Sequence, residues 1–304
     1  MLPEELFYKP NAPLHQLHDA LLQKKGVELW VKREDLIHPY VSGNKWRKLK
    51  YNFLAAEKQG YRSLITFGGA FSNHIYALAA AAKATDFQSI GIIRGEPAYA
   101  SNPTLSFAKK CGMQLHFVDR STYKLRHDED YLRKVMDMYP DSFLIPEGGT
   151  NAAAVKGVAE LSQELPLDTT HVCLAVGTGG TLAGVAEGGS GRYQVVGFPV
   201  LKADLHACIH ELLPKGYNNS FELIPDYHFG GYARINCQLI DFMTYFEATF
   251  SIPLDPVYTA KMFYGLFDLI AQNYFPRNSK IVALHTGGLQ GLEGMKDKIA
   301  SLKS

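Results

Sequence analysis

Along the chain, short apolar runs rich in β-branched residues take turns with longer stretches whose apolar positions recur every three or four residues. Seven runs stand out: SLITFGG (63–69), SIGIIRG (89–95), QLHFVD (114–119), SFLIPEGG (142–149), HVCLAVGTGG (171–180), YQVVGF (193–198) and KIVALHTGG (280–288). Continuous apolar runs of this length are the pattern of strands buried on both faces, and the helix-period segments between them are the crossovers that parallel strands require. The predicted class is therefore α/β. Several runs end in or just before a glycine pair: Gly68-Gly69, Gly148-Gly149, Gly179-Gly180 and Gly287-Gly288. Open α/β sheets bind ligands at the carboxyl ends of their strands, so the four pairs predict a single mouth. No internal repeat, low-complexity tract or Pro/Ser-rich linker marks a domain boundary, which leaves any division to topology.

Composition narrows the function. The 304 residues are 46% hydrophobic, enough for a sizeable core and for two domains. With 31 Lys+Arg against 30 Asp+Glu, the chain lacks the positive excess of a protein that works on phosphate backbones, and nucleic acid is not an expected partner. The start, MLPEELFYKP, has no basic and apolar leader, and the run IYALAAAA is too short to span a bilayer. A cytoplasmic protein without membrane association is expected. Cys111, Cys173, Cys208 and Cys237 are scattered, so neither a metal site nor a disulfide framework is expected.

Three loops carry candidate chemistry. In HVCLAVGTGGTLAGV a strand runs into Gly177-Thr178-Gly179-Gly180-Thr181 and a helix opens at Leu182, so backbone amides and two hydroxyls converge on a helix N-terminus. That arrangement suits a phosphate group, although a tight strand-to-helix turn would use the same glycines. The P-loop pattern is absent, and Leu182 stands where a dinucleotide fingerprint needs its third glycine. In ITFGGAFSNHIYALAAAA, Ser72, Asn73 and His74 follow a strand and a glycine pair; Ser72 or Asn73 suits an N-cap, and the polar groups serve either capping or a ligand. In VSGNKWRKLKYN, four cations fall within six positions. Gly43-Asn44 reads as turn and cap, Trp46, Leu49, Phe53 and Leu54 as an apolar helix face, and Lys45 as the first helical residue. There the helix dipole and cleft burial both disfavour its charged form, the condition for a Schiff-base nucleophile or general base. Lys48 lies one turn on, as a supporting neighbour. Arg47 and Lys50 point elsewhere and read as a solvated face or salt bridges.

A phosphate cradle, a poised lysine and a hydroxyl/amide loop together describe a pocket for pyridoxal 5'-phosphate. SGNKWRKLKYNF resembles the GGNKxRKLE segment, and GGAFSNH the GGxxSNH segment, of the family containing D-cysteine desulfhydrase and 1-aminocyclopropane-1-carboxylate (ACC) deaminase. The resemblance runs from VKREDL to ALHTGG and takes in EGGTN, GTGGTLAG and DPVYTAK in order. It implies a tryptophan synthase β-like fold of two open, twisted, mostly parallel sheets flanked by helices, with the cofactor in a cleft between domains. The large domain would be 1–45 with 149–304, the small one 46–148, and the assembly a homodimer.

Residue by residue, the resemblance makes Lys45 the lysine that holds the cofactor covalently and moves the Cα proton, and Asn73 the partner of the ring 3′-oxygen. Ser72 with His74 would receive the substrate carboxylate, and Thr178, Gly179, Gly180 and Thr181 the phosphate. Tyr258 would lie against the ring, with Tyr232 as a second active-site tyrosine. The segment between the phosphate loop and DPVYT is shorter than in typical relatives, AEGGSGRYQ standing in place of a longer helix. ACC deaminases carry a glutamate at the position of Thr259 and a leucine at that of Thr286; the two threonines match the D-cysteine desulfhydrase branch. A hydroxyl facing the pyridine nitrogen makes a weaker electron sink than a carboxylate, which suits β-elimination. The expected reaction converts D-cysteine to pyruvate, hydrogen sulfide and ammonia. The alternatives are ACC deamination, another reaction of the fold (serine or threonine dehydration, racemisation, action on L-cysteine) and a weakly active cofactor-binding homologue.

Overall fold

A computed structural model describes residues 2–8 and 12–303. Ten strands occur in it: β1 (Leu14–Leu17), β2 (Glu28–Lys32), β3 (Ser63–Gly69), β4 (Gln88–Arg94), β5 (Gln114–Val118), β6 (Ser142–Ile145), β7 (His171–Val176), β8 (Gln194–Pro199), β9 (Phe221–Leu223) and β10 (Lys280–Leu284). All seven runs picked from the hydrophobic pattern are strands; β1, β2 and β9 are additional. They form a six-stranded sheet of order β1-β2-β10-β7-β8-β9 and a four-stranded sheet of order β5-β4-β3-β6. Every pairing is parallel except β1 with β2.

The strand orders locate the site. In the smaller sheet the chain steps outward from β3 to β4 to β5 and then returns to the other side of β3 as β6. In the larger sheet it steps from β7 to β8 to β9 and returns beside β7 as β10. Each reversal opens a crevice at the carboxyl ends of the strands, because successive crossovers leave in opposite directions there. The loops at these two crevices, 69–74 and 146–150 from one sheet and 177–181 and 286–287 from the other, line one cleft.

The helix Asn44–Lys58 positions that cleft's lysines. Its N-cap is Gly43, at φ +65°, and a Cβ there would fall 2.0 Å from the Thr286 carbonyl oxygen. Only glycine meets both conditions. This corrects the expected start: the helix begins at Asn44, whose side chain donates to Thr181 Oγ1 at 2.7 Å instead of capping. Trp46, Leu49 and Phe53 are buried as predicted, with the Phe7 ring 5.4 Å from Trp46 and 5.6 Å from Phe53. Burial of a side chain such as Leu49 or Phe53 contributes about 1.5–3 kcal/mol.

Of the two alternatives open for Arg47, a solvated face or a salt bridge, the structure shows the salt bridge, and a buried one. Arg47 is 1% exposed, donating to Glu34 at 2.6 and 2.8 Å and to Glu164 at 2.8 and 2.9 Å. Lys32 completes the network with a 2.7 Å bond to Glu164. Burial opposes the guanidinium charge, but the two carboxylates outweigh it and raise the pKa. The Arg47 carbonyl lies 2.1 Å from where a Cβ on Gly157 would stand, so the helix Ala152–Ala159 crosses here backbone to backbone. Lys50 pairs with Glu160 nearer the surface. Breaking a buried pair leaves an uncompensated charge, so Arg47→Met is expected to lower the unfolding free energy by about 3–5 kcal/mol. Lys50→Met should lower it by no more than about 1 kcal/mol in the same urea titration; equal losses would refute the distinction.

Candidate active site

The cleft encloses about 900 Å³, enough for a cofactor together with a small substrate. Lys45 and Lys48 enter it from successive turns of their helix, both donating to the Gly148 carbonyl oxygen, at 3.1 and 2.8 Å. Burial pulls the Lys45 pKa down to about 8 against the opposing charge of Glu147. Burial and the Lys45 charge push Lys48 well below its ordinary value. Lys48 also reaches Thr150 Oγ1 at 2.7 Å and Thr178 Oγ1 at 3.4 Å, so it braces the phosphate-type loop.

That loop leaves β7 at Val176 and enters the helix Gly180–Gly189 with Gly179 as N-cap. Thr178, Gly179 and Thr181 line the cleft. Gly180 packs beneath them: a Cβ on it would stand 2.8 Å from the Thr150 Cγ2 and 3.1 Å from the Lys48 Cε. Across the cleft, Ser72 caps the helix Asn73–Ala84 by accepting from the Ile75 amide at 3.3 Å. Asn73 Oδ1 accepts from Gln290 at 2.9 Å. His74 is buried beneath them: Thr66 donates to the Ile145 carbonyl and accepts from Nε2, which leaves Nδ1 a lone pair with no protein partner among the described residues. Burial, then Lys45 and Lys48, press its pKa well below the ordinary value. A neutral ring presenting an acceptor on Nδ1 offers a carboxylate no donor there.

Tyr258 and Tyr232 meet edge to face with centroids 6.0 Å apart, and both line the cleft with Thr286. Thr259 does not: it is 0% exposed, and its hydroxyl donates to the Asp255 carboxylate at 2.9 Å while Asp255 N donates to it at 2.8 Å. The expected contact of Thr259 with a cofactor ring is corrected accordingly. Asp255 also accepts from the amides of Val257, Tyr258 and Thr259. Among the cleft residues that escaped the sequence reading are Arg94 at the end of β4, Arg126, Glu147 and Glu211. The signal was present for two of them, since Arg94 and Glu147 each sit at a strand end beside a glycine. Lys261 was missed as well. Buried, it donates to the carbonyls of His228 and Gly231 at 2.8 Å each, clamping the loop that carries Tyr232.

This donor set fits pyridoxal phosphate: amides at a helix N-terminus with Thr178 and Lys48 for the phosphate, a depressed amine for the aldehyde, and Tyr258 as a ring wall. A family model described as pyridoxal-phosphate dependent enzyme matches residues 7–287. The chain belongs to this family. The enzyme is 31% identical over 286 residues to a Pyrococcus abyssi protein named "Putative 1-aminocyclopropane-1-carboxylate deaminase", covering 88% of this chain and 86% of that one. It is 29% identical over 307 residues to the Arabidopsis thaliana bifunctional D-cysteine desulfhydrase/1-aminocyclopropane-1-carboxylate deaminase, mitochondrial (91% and 76% covered). Among solved structures, one titled as an ACC deaminase homologue superposes with a TM-score of 0.83 at 27% identity, covering 99% of this chain and 98% of the other. Among the described residues no helix is long and apolar enough to cross a membrane, and no cluster of three metal-ligating side chains occurs.

The Lys261 clamp has a measurable consequence. A carbonyl that loses a charged donor while buried costs about 1–3 kcal/mol. Lys261→Met is therefore expected to speed amide exchange across 228–234 in the holoenzyme and to leave exchange in β3–β6 unchanged. Unaltered exchange in 228–234 would show that the loop holds itself.

Proposed function

We propose that the enzyme catalyses β-elimination on a small amino acid, D-cysteine first, yielding pyruvate, hydrogen sulfide and ammonia. The observation that carries this reading is the Lys45 amine, half-buried in the cleft between the Ser72 loop and the phosphate-type loop with its pKa lowered to about 8. When bound, pyridoxal phosphate supplies an electron sink that acidifies the substrate Cα–H. Lys48, Thr178 and the 179–181 amides would hold its phosphate, Lys45 its aldehyde, Asn73 its ring oxygen and Tyr258 its ring face. Ser72 and Asn73 would fix the substrate carboxylate, which orients the Cα–H toward Lys45. Lys45 then takes that proton, the Cβ–S electron pair departs with sulfur, and water completes the conversion to keto acid and ammonia.

What favours elimination is the wall formed by Tyr258 and Thr286, which offers hydroxyls and no carboxylate. A second reading, ACC deamination, is favoured by the names of the two relatives. The domain division 1–45 with 149–304 against 46–148, a homodimeric assembly and a cytoplasmic location belong to the same proposal; light scattering of the purified holoenzyme checks the assembly.

Holoenzyme given D-cysteine is expected to release sulfide and pyruvate faster than it releases 2-oxobutyrate from ACC; the reverse order would establish the second reading. Lys45→Ala should lose at least about 10²–10⁴-fold in turnover, the share of a positioned general base, and should bind cofactor without borohydride-stable attachment. Sulfide release at the wild-type rate would sink the assignment. Because the folded pKa of Lys45 lies near 8, below the ordinary 10.5, the neutral amine predominates above about pH 8. Covalent capture of added cofactor by the apoprotein should therefore accelerate as pH rises toward 8 and level off beyond it. A rate still climbing to pH 10 would indicate an unperturbed lysine.

A further inference from the structure

One wall of the cleft carries positive charge that the elimination of cysteine does not use. Arg94, the last residue of β4, and Arg126 both stand over the Tyr123 ring, at 5.4 and 5.1 Å from its centroid, and Tyr123 is itself 2% exposed. The Tyr123 hydroxyl donates to one oxygen of Glu147 at 2.6 Å, and Arg126 Nε donates to the other at 2.5 Å. Glu147 is thereby matched by Arg126. Arg94 forms no hydrogen bond or ion pair with a carboxylate among the described residues. Its guanidinium lies against Gly69, 3.4 Å from where a Cβ would stand, three residues before Ser72.

The wall is within reach of the reacting atoms. Lys45 Nζ is 3.1 Å from the carbonyl of Gly148, the residue after Glu147. The other carboxylate in the cleft, Glu211, belongs to the helix His206–Leu212, whose Ile209 packs against Gly179 at the phosphate-type loop. It is therefore on the opposite flank from Arg94. A planar fork without a counter-ion, mounted on a rigid aromatic platform, matches a carboxylate or phosphate in two-point geometry.

We propose that Arg94, held beside the Arg126–Glu147 pair, recognises a second anionic group on the β-substituent of the amino-acid substrate, a terminal carboxylate or phosphate. This rests on the elimination reading above and names its substrate class. The reaction balances without an oxidant: Cα–H and Cβ–X break, the electron pair leaves with X, Lys45 receives the proton, water supplies the keto oxygen, and the products are pyruvate, ammonia and HX.

The test compares matched substrates on the holoenzyme, in both enantiomers. S-carboxymethylcysteine and its neutral isostere S-carbamoylmethylcysteine, whose thiolates leave alike, read the carboxylate arm in turnover; for phosphate, which leaves far more readily than hydroxide, O-phosphoserine is compared with serine in binding alone. Wild type is expected to favour the anionic member in kcat/KM by about ten- to a hundredfold, the worth of a charge-assisted pair, and Arg94→Met to bring that ratio near one. The ratio is an internal control for folding. Binding of aspartate against asparagine and of glutamate against glutamine, followed by the visible absorbance of the cofactor, gives a readout independent of turnover. If no amino acid releases a keto acid, the elimination reading fails while the binding ratio still decides anion recognition. Equal dissociation constants for the charged and neutral members in wild type, or a preference that survives Arg94→Met, would overturn the proposal.

Discussion

The buried guanidinium of Arg47 is the constraint on which the site depends. Three cations, Lys45, Arg47 and Lys48, fall in the first turn and a half of one helix, where the helix dipole opposes positive charge. Left to itself such a terminus would fray into water. Arg47 resolves the conflict by turning away from the two lysines into the paired carboxylates of Glu34 and Glu164. Glu34 follows β2 and Glu164 precedes β7, so the same charge that offsets its own desolvation also ties the helix to the larger sheet. Lys45 and Lys48 are then held in the cleft without carboxylates of their own, the environment in which an ammonium loses its proton most readily. The lowered pKa of the Lys45 amine goes with where its neighbour finds its counter-ions.

Each sheet contributes a different part of the chemistry. The larger brings the phosphate-type loop, Tyr258 and Thr286; the smaller brings the Ser72–His74 loop, Arg94 and the Glu147–Gly148 turn. Neither set suffices for the proposed reaction, in which the first would hold an anion and a ring and the second a carboxylate and a side chain. Lys48 crosses between them, touching Gly148 and Thr150 on one side and Thr178 on the other. Its nitrogen lies within hydrogen-bond distance of all three oxygens, so displacement of the phosphate-type loop would cost a buried polar group one of its partners.

Most of the strands that the hydrophobic pattern revealed, β3, β4, β7, β8 and β10, are buried on both faces, where continuous apolar runs are required; β5 and β6 are partly buried edge strands. β1 (LHQL) and β9 (FEL) are edge strands of four and three residues, and β2 (ELWVK) has charged ends. Such strands carry too little apolar signal to separate from loop. Ser72, Asn73 and the 178–181 loop were legible as cleft positions because glycines and caps mark strand-to-helix turns at the ends of strong strands, and Lys45 because a Gly-Asn turn precedes an apolar helix face. Arg47 was legible only as a choice between a solvated face and a salt bridge, for a single-helix argument cannot place the carboxylates that other segments bring. Here the stripe is only one of two buried faces, the second created by the loop at Glu34 and the crossing at Gly157. Thr259 failed for a related reason, since a hydroxyl can rotate to whichever acceptor is nearest. The nearest is Asp255, four residues back in the same sequence motif.

That pairing bears on how the two tyrosines are set. Asp255 fixes the backbone at Tyr258 through three consecutive amides, and one turn on, Lys261 fixes the carbonyls on either side of the Gly230 turn ahead of Tyr232. Burial raises the Asp255 pKa while those amides and the Thr259 hydroxyl oppose it; burial lowers Lys261 to about 8 while Asp255 opposes it. Each charge favours the other, so a single helix start sets the 6.0 Å approach of the two rings. A glutamate at position 259 would lack the hydroxyl that Asp255 uses and would place a second carboxylate beside a buried one, which two like charges in low dielectric do not tolerate. The residue at 259 therefore acts on the cleft through the backbone of Tyr258, and a carboxylate could face the cofactor from there only if this turn were rebuilt around it.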